Sequence, residues 1–124
     1  APVVCLAIAG GARRGCRLLA GTEARGLFGS CDGGKTWSRL GADLISGAVN
    51  GIAVPPGKPE GQELIASLPE RVLFSRDEGA TWSEWRAGLP GDSLLTCALA
   101  PEGIGAGAPI LIGLADGRVW RGVW

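Results

Sequence analysis

The sequence predicts an all-β fold made of three antiparallel repeat units, and three observations carry that prediction. One eight-residue motif occurs twice. Ser30-Cys31-Asp32-Gly33-Gly34-Lys35-Thr36-Trp37 and Ser75-Arg76-Asp77-Glu78-Gly79-Ala80-Thr81-Trp82 both read Ser-x-Asp-x-Gly-x-Thr-Trp, 45 residues apart. Apolar triplets also recur, at a spacing of 46: Leu6-Ala7-Ile8, Ile52-Ala53-Val54 and Ala98-Leu99-Ala100, then Leu18-Leu19-Ala20, Leu64-Ile65-Ala66 and Ile110-Leu111-Ile112. Finally, 22 glycines and 8 prolines punctuate the 124 residues at turn spacing, and no amphipathic stretch persists for the ten or so residues that a helix needs.

Each unit reads as four short strands. In the first, residues 1–45, they are Val3–Ile8, Cys16–Ala20, Leu27–Ser30 and Thr36–Leu40, apolar or mixed runs bounded by Gly, Pro or Asp. Gly10-Gly11 separates the first two strands. Pro55-Pro56-Gly57 takes that place in the second unit, 46–91, and Pro101-Glu102-Gly103 in the third, 92–124. The third unit departs from the pattern. Its third strand falls at Arg118–Arg121, no motif follows, and its fourth-strand position is unfilled. An unfilled position leaves a row of unpaired backbone groups on a sheet edge. A period of roughly 40 to 50 residues suits a propeller blade, so the expectation is a single domain, 1–124, of about three four-stranded blades, the last incomplete.

The motif has a physical logic as a turn. Asp32 and Asp77 can accept hydrogen bonds from backbone N–H groups a little further along and so close a loop locally. Gly34 and Gly79 supply backbone angles that a residue with a Cβ resists. Thr36 and Thr81 begin a strand, where β-branching is favoured. Trp37 and Trp82 offer large apolar surfaces for packing between neighbouring sheets. A catalytic or calcium-binding role for the aspartates would leave the Gly, Thr and Trp without a purpose.

The pattern Ser30-x-Asp32-x-Gly34-x-Thr36-Trp37, repeated at Ser75, Asp77, Gly79, Thr81 and Trp82, resembles the Asp-box, or bacterial neuraminidase repeat. That repeat occurs in sialidases, sortilin-type receptors and photosystem II assembly factors. The resemblance implies a hairpin between the third and fourth strands of a β-propeller blade. It says little about activity.

The composition excludes several functions. No His is present, so a Ser-His-Asp or Cys-His nucleophile and His-ligated metals are ruled out. No Tyr is present, so the nucleophile of the sialidases that the motif resembles has no counterpart. Neither a cofactor nor a metal is expected. Twelve basic residues balance twelve acidic ones, which favours neither nucleic acid nor an anionic membrane as partner. No apolar segment approaches the roughly 20 residues of a membrane span, and no signal peptide is visible, so the compartment stays open. Gly103-x-Gly105-x-Gly107 lacks the following helix of a phosphate loop and reads as a connector.

Of the four cysteines, Cys5 and Cys97 are repeat-equivalent and read as small core hydrophobes. A second and third strand paired around a loop centred on Glu23-Ala24 would set Cys16 opposite Cys31, a candidate disulfide. For ligand binding, the candidates are Trp85, Trp120 and Trp124, the alternative for each being packing between blades. Asp43 and Asp92 join them, in loops expected at the mouth of a propeller channel. Three blades make only an arc with two bare apolar faces, whereas closed propellers have about four to eight. The expectation is therefore a homodimer closing a six-bladed ring, the alternative being part of a longer propeller. The functional expectation is a non-catalytic module binding a protein or glycan. The alternative is a carbohydrate-active domain with carboxylate chemistry.

Overall fold

A computed structural model describes residues 2–9, 17–56, 63–85 and 93–124. These residues contain eleven strands in three antiparallel sheets and no helix. The first sheet is ordered β1 (Val3–Ala9), β2 (Arg17–Thr22), β3 (Leu27–Ser30) and β4 (Ser38–Leu40). The second is β5 (Gly51–Ala53), β6 (Leu64–Ser67), β7 (Val72–Ser75) and β8 (Ser83–Trp85). The third has three strands, β9 (Leu95–Leu99), β10 (Pro109–Leu114) and β11 (Val119–Val123). Every sheet is a meander in chain order, as short turns between antiparallel neighbours require.

Several boundaries differ from the expected ones. β4 starts at Ser38 and not at Thr36, because Thr36 and Trp37 are held in the motif loop by hydrogen bonds to Asp32 and Gly34. β11 is shifted to Val119–Val123 from the expected Arg118–Arg121, because the Arg118 N–H is taken by the Asp116 carboxylate in the preceding turn. The β2–β3 hairpin turns through Gly26 at φ 84°, with Thr22 N–H donating to Gly26 O at 3.1 Å. Its register pairs Leu18 with Ser30 and Gly21 with Leu27. One further step sets Cys31 level with Arg17 and not with Cys16, the slip of one residue coming from that wider turn. Cys16 itself lies outside the described residues, as does Asp92.

The sheets stack in chain order. Side chains alternate between the two faces of a strand, so each sheet has a leading face, toward the preceding sheet, and a trailing face, toward the next. Leu19 and Leu27 from the first sheet meet Leu64, Ala66, Leu73 and Trp82 from the second in one core, with Ile45 and Val49 from the connecting loop. Ile65, Val72 and Trp85 from the second meet Ala98, Ile110, Ile112 and Leu114 from the third in another. The middle sheet is thus covered on both faces, and β6 is buried at every residue. Each outer sheet is covered on one.

Candidate functional site

The two motif loops carry the most organised polar chemistry among the described residues. In the first, Ser30 Oγ–H donates to Asp32 Oδ1 at 2.8 Å, and the Gly34 N–H donates back to Ser30 Oγ at 2.9 Å. The Thr36 N–H donates to Asp32 Oδ1 at 2.9 Å, and Thr36 Oγ1–H to Oδ2 at 2.5 Å. The second loop repeats these bonds through Ser75, Asp77, Gly79 and Thr81 at 2.7, 2.9, 2.9 and 2.5 Å. Gly34 and Gly79 have φ of 91° and 93°, in the left-handed region that glycine enters freely. Each indole N–H then closes the loop, Trp37 onto Gly34 O at 3.1 Å and Trp82 onto Gly79 O at 3.0 Å.

This geometry sets the acidity of the aspartates. Hydrogen bonds from the Thr36 hydroxyl, the Thr36 N–H and the Ser30 hydroxyl hold Asp32 down to about 2 from 3.8. Asp77 is held down to about 2 by Thr81 and Ser75 in the same way. A carboxylate whose lone pairs already take donors from its own loop stays ionised at neutral pH and is badly placed to carry a proton. What the loop can do is brace a hairpin.

The tryptophans divide. Trp82 is 8% exposed and lies against Gly41, where an added Cβ would come within 2.8 Å of Trp82 Cδ1 and 2.9 Å of Ile45 Cδ1. Trp37, whose motif position predicts packing between sheets, is 42% exposed, with no sheet stacked on that side among the described residues. Trp85 takes the packing alternative. It is buried in the second core, donates its indole N–H to Val123 O at 3.2 Å, and meets Trp120 and Trp124 edge to face at 5.7 and 6.3 Å. Trp120 and Trp124 are half-buried and share that face, as their spacing implies. Together with Phe74 and Arg76, Trp85 and Trp124 wall a shallow hollow of about 580 Å³. Phe74 and Trp124 meet edge to face at 5.0 Å, and Trp124 Nε1 is buried with no acceptor among the described residues. Asp43 is exposed in the loop after β4.

The larger feature is the pair of apolar end faces expected of a three-sheet arc. Ile52, Val54, Leu64, Ala66, Leu73 and Trp82 form the leading face of the second sheet and pack into the first core. Their repeat equivalents in the first sheet are Leu6, Ile8, Leu18, Ala20, Phe28 and Trp37, of which Leu6 is 72% exposed and Ile8 64%. At the opposite end, the trailing face of the third sheet bears Leu99 and Val119, 55% and 73% exposed. These match Ala7, packed against the first core, and Leu27, fully buried within it. The sequence predicts two such faces, and the structure shows which residues stand on them. No known protein family matches this chain, and no curated protein matches it either.

Proposed function

We propose that this chain is a non-catalytic binding and assembly module of the Asp-box kind, an arc of β-propeller blades whose two end faces are its docking surfaces. One observation carries the reading. The apolar residues exposed on the outer sheets, Leu6 and Ile8 at one end and Leu99 and Val119 at the other, are the repeat equivalents of residues that pack into the two cores elsewhere in the arc. Contiguous apolar patches of this kind on a soluble domain mark an interface, and a sheet that buries only one side gains its stability by stacking. Two copies of the chain supply six sheets, enough to close a ring. The motif loops brace the hairpins of that ring, and a protein or glycan ligand would be held at its mouth, where Asp43 is exposed.

The hydrogen bonds that hold Asp32 and Asp77 down to about 2, and so ionised at neutral pH, argue against proton-transfer chemistry at the motifs. Light scattering on the purified chain tests the reading. The expected particle has twice the chain mass across micromolar concentrations. A stable monomer in dilute buffer would sink it.

A further inference from the structure

We infer that the two end faces fit each other, so that two copies join head to tail with Val3 of one copy seated against Cys97 and Gly113 of the other. This rests on the assembly reading above and adds which faces and which residues meet.

The template is the junction that the structure holds between the first and second sheets. There Val49 is fully buried over a dimple made by the cross-strand pair Cys5 and Gly21. A Cβ on Gly21 would lie 2.4 Å from Cys5 Sγ and 2.8 Å from Val49 Cγ1, so only glycine leaves room for both. Val49 is further pinned by its N–H donating to Thr22 O at 2.9 Å, and the Cys5 thiol donates to Val49 O at 3.6 Å.

The trailing face of the third sheet repeats that dimple. Gly113 stands opposite Cys97, and a Cβ on it would come within 2.8 Å of Cys97 Sγ. The same break in register lies beside both pairs, between Val3 and Cys5 in β1 and next to Gly113 on β10. The second sheet lacks the dimple, carrying Gly51 opposite Ser67 in these positions. There the residue one period after Val49 is Leu95, buried in the second core. A Cys–Gly dimple therefore goes with valine, and the Gly–Ser pair with leucine. One period before Val49 the chain has Val3, and Val3 is 55% exposed.

The surrounding surface agrees. The first sheet presents Leu6, Ile8 and Leu18 where the second presents Ile52, Val54 and Leu64. The third sheet presents the smaller Ala98 and Ala100 in the β9 positions. The leading face of the first sheet is thus built like the one already fitted to a Cys–Gly trailing face. A junction between unlike faces closes with two copies if both junctions form, giving two-fold symmetry.

Mixing charged variants tests this. Leu6→Lys spoils only the leading face and Leu99→Lys only the trailing face, and both side chains are exposed within one copy. Each variant alone should sediment as a monomer. An equimolar mixture should recover a dimer, because one junction then joins two intact faces. A wild type that dimerises while Leu99→Lys has no effect, or a mixture that stays monomeric, overturns the head-to-tail pairing and leaves the assembly reading standing. As a second measurement, Val3→Cys with Cys5, Cys16 and Cys31 replaced by Ala should cross-link to Cys97 under mild oxidation and run at twice the chain mass. Cross-linking that persists after Cys97→Ala would show like faces meeting and would refute the inference.

Discussion

Trp37 and Trp82 hold the same place in two loops with the same hydrogen bonds, yet one is 42% exposed and the other 8%. The loops cannot account for the difference. Trp82 has the first sheet in front of it, with Gly41 and Ile45 under its indole. Trp37 has no sheet on that side among the described residues. The same contrast extends over the sheets, since β5 is half-buried at every residue whereas its counterpart β1 exposes Val4, Leu6 and Ile8. Local bonding shapes the hairpin, and the neighbouring sheet decides how much apolar surface leaves water.

The comparison can be broken most sharply at the indoles themselves. Trp82→Ala should lower stability by about 3–5 kcal/mol, the cost of emptying a large buried site. Trp37→Ala should cost less, about 1 kcal/mol in a monomer, since 42% of its surface is already exposed and its removal empties no closed site. Urea denaturation of both variants at low concentration checks this. Equal losses would mean that the Trp37 loop is packed in solution as Trp82 is.

A smaller effect tests the sameness of the loops. Both aspartates are more acidic folded than free, so their contribution is complete above a pH of about 4. It is lost as pH falls toward 2, where they protonate. Melting temperature should hold level down to about pH 4 and then drop. Asp32→Asn and Asp77→Asn together should lower it at neutral pH and flatten that drop. An unchanged acid profile in the double variant would show that other carboxylates govern it.

The smallest effect lies one residue after the aspartate in each loop. Gly33 has φ 76°, and its counterpart Glu78 has φ 63°, in the left-handed region that side chains resist. Glu78→Gly should therefore stabilise by about 0.5–1 kcal/mol, the relieved backbone strain outweighing the added chain entropy. Thermal unfolding measures it, and a loss of stability would show that Glu78 contributes contacts worth more than the strain.

Much of this was legible in the residues. Leu27–Ser30 forms a strand with the expected bounds, and the sheets follow the triplets because a period of two with Gly and Pro breaks admits few other pairings. The opposed directions of Trp82 and Trp85 followed from their spacing of three. Their burial did not, because it needs a sheet on each side: for Trp85 the sequence leaves binding and packing between blades open, and the structure sets it in the second core. The β2–β3 register was misjudged by one residue because the turn at Gly26 depends on backbone angles that composition does not reveal.

What the sequence determined by itself is what neighbours in the chain can settle: strand periodicity, turn positions, and the Asp-centred loops whose donors and acceptor lie within a few residues. Only the tertiary structure decided which of two equivalent apolar faces is covered, and that a Cys–Gly dimple takes a valine. Burial is a relation between distant segments, and a repeat writes the same letters whether or not another sheet lies against them.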